Sequence, residues 1–214
     1  MPITSPSPEQ RLLEVASHLF YAEGIHAVGV DRVIAEAGVA KATLYAHFAS
    51  KADLVAAYLE RQSLAWVSAV RDRAAAHDPG TRSAVLAPFG VLDDRARTAD
   101  YRGCPFINAA AEFPDPGPVA TQVAAHRRRL RSTFATLAGP RGSEPELLDA
   151  LVVLYDGAMS AAHLDGDPDV VSHAAAVAAR LLEGQGTPRA SSGGRNAAAS
   201  ARAVEGQGGA LPED

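Results

Sequence analysis

One cysteine, Cys104, stands in the whole chain of 214 residues, so no internal disulfide can form. That usage suits a reducing cytoplasm. Positive charge is scarce too: 20 Lys and Arg against 25 Asp and Glu leave a formal charge of −5. A net anion has no general attraction for nucleic acid, so any such binding must come from a local basic surface. No apolar run approaches the length a bilayer span needs, and the N-terminus lacks a signal-peptide core. Strict apolar–polar alternation of useful length is missing, which excludes a sheet as the organising element. His163 with Asp165 has no third ligand at a sensible spacing, so no metal site is expected. No cofactor is expected either.

Helical periodicity is what the chain has. Ser7-Pro8-Glu9-Gln10 reads as a capped helix start with Pro at the first helical position, and Leu12, Ala16, Leu19 and Phe20 follow on one face until Gly24. A second helix is expected over 31–37, a turn at Gly38, a third helix over 41–47, and a long helix opening at Ser50-Lys51-Ala52-Asp53 and running to about residue 77. On that long helix Leu54 and Tyr58 can face the N-terminal helices, while Val55, Leu59, Trp66 and Val70 can face the later helices. After the break at Asp78-Pro79-Gly80 comes a weaker helix with Val85, Phe89 and Leu92, kinked at Pro88. A short helix from Pro105 through Glu112 and an amphipathic helix from Val119 to Leu137 come next. Helices over 144–163 and 168–182 close the fold as antiparallel neighbours. The expected class is all-α: a flexible 1–6, a three-helix module over 7–54, a larger helical unit over 55–183, and a Gly-, Ala- and Ser-rich tail over 184–214 that buries too little to order itself. The run His126-Arg127-Arg128-Arg129 with Arg131 reads as a solvated helix face.

Gly24 to Leu54 carries the chemistry. Leu44 and Phe48 lie four apart and can anchor the third helix, leaving Lys41, Ala42, Thr43, Tyr45, Ala46 and His47 outside. Small residues let a helix approach base edges closely. Thr43 and Tyr45 offer hydroxyls, and His47 and Lys51 can engage phosphate oxygens. Short helix, glycine turn and short helix together form a helix-turn-helix suited to the DNA major groove.

VDRVIAEAGVAKATLYAHFASKADL resembles the DNA-binding region of the TetR family of bacterial transcription regulators. Ala37-Gly38-Val39, Tyr45-Ala46-His47-Phe48, and Lys51 with Leu54 match the family pattern. The resemblance covers about the first 55 residues. It implies DNA contacts at Lys41, Ala42, Thr43, Tyr45, His47 and Lys51, and a homodimer whose C-terminal unit binds a small effector that releases a near-palindromic operator. It also implies a dimer interface on the last two helices, where the apolar stripes supply Leu147, Leu151, Leu154, Val170, Ala174, Val177 and Leu181. One departure stands at the start of the second helix, where members often carry Thr and this chain has Val30, a poor cap, followed by Asp31, which repels phosphate. Arg32 is the candidate substitute contact.

Gly103-Cys104-Pro105-Phe106 is similar to a segment in a branch of these regulators, some of which sense electrophiles or oxidants through the Cys. Pro105 at the first helical position puts Cys104 at the N-cap, where helix amides favour a thiolate, and Arg102 adds charge nearby. Effector-pocket candidates are Trp66, Cys104, Phe106, Asn108, Phe113, His126, Tyr155, Met159 and His163, apolar walls with few polar groups. Asn108 and His126 stand out because buried polar groups need partners. An enzyme using Cys104 as nucleophile would need His126 as its base, with no third orienting residue evident.

Overall fold

The structure, a computed structural model, describes residues 6–139 and 144–184. Ten helices appear among them: α1 (Pro8–Glu23), α2 (Val30–Ala37), α3 (Lys41–His47), α4 (Lys51–Ala74), α5 (Arg82–Val85), α6 (Ala87–Ala96), α7 (Pro105–Glu112), α8 (Pro118–Ala138), α9 (Pro145–Leu164) and α10 (Asp169–Gly184). No strand occurs among the described residues. The tail expected to be unstructured, from residue 185 on, lies outside them, as do residues 1–5 and 140–143.

Local chemistry explains the helix ends. Ser7 accepts from the Gln10 amide at 3.2 Å and the Gln10 side chain accepts from the Ser7 amide at 2.8 Å, a complete capping box. Gly38 closes α2 at φ 62°, a left-handed conformation where a Cβ would be strained. The N-cap of α2 is Gly29. Val30 is therefore the first helical residue, and it packs partly buried against the N-terminal core, not as a cap. The segment expected as one kinked helix is two, α5 and α6, meeting at Leu86 with Pro88 in the first turn of α6. Proline is tolerated there because that turn's amides have no intrahelical acceptor anyway.

Three patches of core hold the helices together. The first joins Leu12, Leu19, Phe20, Val33, Leu44 and Phe48 to Leu54, Val55, Tyr58 and Leu59 of α4, and also to Phe106 and Ala109 of α7 and Val119 of α8. Both flanks of the first half of α4 therefore feed one core, in which Val55 and Leu59 share a cluster with Phe106, Ala109 and Val119 of the later helices. The second patch gathers Phe89, Phe134 and Tyr155 in tilted and edge-on ring contacts 5.6–6.0 Å apart, with Leu130, Leu151 and Val171 around them. A small third patch holds Val70, Ala74 and Ala87.

Two sequence expectations change here. Helix α9 is long and apolar enough to cross a membrane by length and composition, against the expectation that no apolar run approaches a bilayer span. Its eight buried residues, Leu147 and Leu151 among them, are used inside the fold against α6, α8 and α10. The arginines of α8 are not simply solvated: Arg127 reaches Asp156 at 2.7 Å, Arg129 reaches Glu60 at 2.7 Å, and Arg131 pairs with Asp149. They tie α8 to α9 and α4.

Candidate functional site

Helix α3 is held by its own apolar residues. Leu44 is fully buried and Phe48 nearly so, which turns Lys41, Ala42, Tyr45, Ala46 and His47 outward and leaves Thr43 half-buried. Lys41 is not free at this face. Its Nζ donates to Asp31 Oδ1 at 3.0 Å, and that bond raises the lysine's pKa. His47 Nδ1 lies 3.9 Å from Glu9. Lys51, the first residue of α4, is half-buried, and burial lowers its pKa against the opposing field of Glu112. Arg32, the candidate substitute contact, is held by Glu23 through two bonds and by Glu36 through a third. These pairs are open to solvent, with the Arg32 side chain 45% exposed.

An apolar cavity of about 260 Å³ lies between α4, α6, α7, α8 and α9. Of the nine residues expected there, Trp66, Cys104, Phe106, His126, Tyr155 and Met159 line it. The other three do not. Asn108 is exposed and donates to the Arg102 carbonyl at 3.2 Å, and Phe113 packs against the N-terminal core with its ring 5.0 Å from His26. His163 borders a polar cleft of about 660 Å³ with His18, Tyr21 and Arg102, which shares Gln62, Arg95, Tyr101 and Pro105 with the cavity.

The cavity's polar groups are tightly arranged. Trp66 Nε1 donates to the Tyr155 hydroxyl at 2.9 Å, and the Tyr101 hydroxyl donates to the Met159 carbonyl at 2.9 Å. His126 is 6% exposed, stacks on Phe106 with ring centroids 3.6 Å apart, and sits 3.0 Å through Nδ1 from Ser63 Oγ. Burial, helped by Arg127 and Arg129, pulls its pKa down to about 4, so the ring is neutral near pH 7. Cys104 is indeed the N-cap of α7. Burial nevertheless pushes its thiol up, with the Phe106 and Ile107 amides opposing. The expected thiolate is therefore disfavoured. No hydrogen bond links Cys104 to His126 among the described residues; the Nδ1 that a catalytic base would offer is engaged by Ser63.

Sequence reasoning missed Ser63, Tyr101 and Glu112. Ser63 had a signal: it sits in the stripe Leu59, Ser63, Trp66, Val70 as the one polar member. Glu112 had none, because its partners are some 86 residues away. Its carboxylate accepts from the Ile25 amide at 3.0 Å and from the His26 amide, closing the end of α7 onto the turn before α2. At the other end of α7, the Tyr21 hydroxyl of α1 accepts from the Arg102 amide at 2.8 Å and donates to the Gly103 carbonyl at 3.2 Å.

Residues 12–58 match the family model described as bacterial regulatory proteins, tetR family. A TetR-family transcriptional regulator from Streptomyces coelicolor is 40% identical, and its crystal structure superposes with a TM-score of 0.71 over 83% of this chain and 93% of that one. The HTH-type transcriptional activator FasR of Mycolicibacterium smegmatis is 46% identical over 68 residues, so the chain aligns with 31% of that relative's length and 31% of its own. The reduced form of E. coli NemR is alike in fold, with a TM-score of 0.70 at 20% identity over 81% of this chain and 97% of that one.

Proposed function

The chain belongs to the TetR family of bacterial transcriptional regulators, and on that premise we propose that it is a cytoplasmic homodimeric repressor released from its operator by a small effector held in the apolar cavity. Two copies of α3 enter successive major grooves, with half-sites about 34 Å or a multiple apart on a near-palindrome. Lys41, Ala42, Thr43, Tyr45 and His47 face the bases and phosphates, and Lys51 faces the backbone. Among the dimer candidates Leu147 and Leu151 are buried in the protomer's own core. Leu154, Val170 and Ala174 are half-buried and also pack against that core. The interface therefore centres on Val177 and Leu181, joined by Val153 and Leu164, which are 68% and 80% exposed, with the open edges of Leu154, Val170 and Ala174 beside them.

The observation that carries this reading is the position of α7. Its first turn lines the cavity through Cys104 and Phe106, and its last residue, Glu112, holds the Ile25–His26 turn and acts electrostatically on Lys51. Eight residues span about 12 Å, so a ligand displacing Phe106 also displaces the support of the reading head. The test is fluorescence anisotropy on the DNA upstream of the gene itself, which should show salt-dependent binding to an inverted repeat. Absence of binding at low salt refutes the reading. Gene deletion should raise transcription from that promoter; a fall would make the protein an activator, as FasR is named. Gating by Cys104 chemistry is the weaker alternative, because burial holds the thiol protonated.

A further inference from the structure

Two hydrogen-bond donors on the aromatic wall of the cavity lack a protein acceptor among the described residues. The first is fixed by a relay behind the wall. The Arg129 guanidinium can only donate; it holds Glu60 at 2.7 Å and donates Nη1–H to Ser63 Oγ at 3.1 Å. Ser63 takes that bond on a lone pair, and in the arrangement inferred here its own hydrogen goes to His126 Nδ1, 3.0 Å away. With Nδ1 accepting, the proton of the neutral ring sits on Nε2. That nitrogen has no partner among the described residues, and the stack on Phe106 holds the ring in place. The second donor is the Tyr155 hydroxyl. It accepts from Trp66, and its own hydrogen meets no acceptor among the described residues. The Trp66 indole stands edge-on to both rings, with centroids 5.6 Å from His126 and 6.2 Å from Tyr155, so both rings flank that indole in the cavity lining.

We propose that this cavity takes an uncharged apolar compound of roughly bicyclic aromatic size carrying a carbonyl-type oxygen, which accepts from His126 Nε2–H and Tyr155 O–H. The inference rests on the effector reading above and adds the ligand's chemistry. Size follows from volume: a dry cavity of about 150 Å³ holds benzene, and this one is about 260 Å³. A cationic ligand would bring donors to donors. A carboxylate would bring a full charge to a wall whose one guanidinium, that of Arg95, is already bound by Asp100 at 2.8 and 3.1 Å.

The test is isothermal titration calorimetry on the full chain with three probes of one shape: 2-acetylnaphthalene, the hydrocarbon 2-isopropenylnaphthalene and the cation 1-(2-naphthyl)ethylammonium. The ketone should bind about tenfold tighter than the hydrocarbon, the scale of one well-made hydrogen bond, although it is the better hydrated in water. The cation should bind least. His126→Phe, which keeps a ring for Phe106 to stack on, should cut the ketone's advantage severalfold while the hydrocarbon still binds. Ser63→Ala, which frees the tautomer, should reduce it. Equal affinity for ketone and hydrocarbon, or an advantage untouched by both substitutions, overturns the inference and leaves the effector cavity standing. Failure of all three probes to bind overturns the cavity reading itself, and this inference with it.

Discussion

Replacing Asp31 by Asn should tighten operator binding and steepen its salt dependence. Lys41 Nζ lies 3.0 Å from Asp31 Oδ1, with the two side chains 63% and 81% exposed. An ion pair so open to solvent adds little to stability, so Asp31→Asn should leave the melting temperature almost unchanged. Its effect on DNA is larger, because in the free protein the carboxylate holds the ammonium that a phosphate needs and itself repels that phosphate. Freeing Lys41 for one more phosphate contact adds about 0.9 to the slope of log affinity against log salt. Between about 50 and 200 mM salt, roughly a fourfold range, that slope is worth about 3.5-fold, so the variant's advantage should be about 3.5 times larger at the lower concentration. Anisotropy titrations on a labelled operator duplex across that range read both quantities. A double-mutant cycle completes the argument: Lys41→Ala should cost more when combined with Asp31→Asn than in the wild type. An unchanged slope with weaker binding would refute the reasoning and show that Lys41 works on DNA while still paired.

Removing the Glu112 carboxylate with Glu112→Ala leaves the Ile25 amide without its acceptor and should destabilise the fold by about 1–3 kcal/mol, whereas Glu112→Gln, which keeps an acceptor, should lose less; chemical denaturation compares them. Cys104 should react with iodoacetamide at pH 7 at least about tenfold more slowly in the native protein than in urea, since burial raises its pKa; equal rates would reopen Cys104 gating. Val153→Asp or Leu164→Asp should shift the protein to monomer in light scattering with little change in protomer helicity, because both side chains are exposed in the single chain. His126 is depressed from about 6.5 to about 4, so the unfolded chain binds more protons than the folded one between those values. Stability should therefore be full above about pH 6.5 and fall as pH drops toward 4, by up to about 3 kcal/mol. Urea midpoints against pH should show this fall, and His126→Phe should flatten it.

Much of this was legible because local chemistry wrote it. Ser7 with Gln10, Ser50 and Gly38 mark helix ends through bonds to near neighbours, Pro105 marks one through its fixed φ and missing N–H, and α3 and α7 begin and end where those signals put them. The failures belong to facing. From Phe106, two helical steps turn Asn108 about 200° away, so α7 cannot bury both, and Asn108 is the exposed one. On α9 the apolar stripe is wide enough to serve two surfaces. Only packing against α6, α8 and α10 assigns Leu147 and Leu151 to the protomer core and leaves Val153 and Leu164 outward. Long-range bonds such as Glu112 to Ile25 leave no periodic trace at all.

In the effector-released repressor proposed above, coupling between cavity and reading head would run through one shared core. Phe106 and Ala109 belong to the same packed cluster as Leu44 and Phe48, which orient α3, and Phe106 is also the residue stacked on the cavity's histidine. Close-packed interiors re-seat as units and do not deform smoothly. Movement of α7 by a ligand therefore cannot stay local: either the cluster re-seats or the ligand is refused. A ligand shifts that equilibrium only by the difference in its affinity for the two arrangements, and a change from about 1:99 to 99:1 needs about 10⁴-fold. An apolar body alone, sliding against apolar walls, discriminates weakly between two packings of the same side chains. Two directed donors, His126 Nε2–H and Tyr155 O–H, discriminate strongly, since an acceptor satisfied in one arrangement is stranded in the other. The polar pair in an otherwise apolar cavity is thus the part able to turn occupancy into movement of α7, and Glu112 is the part able to hand that movement to the turn before α2.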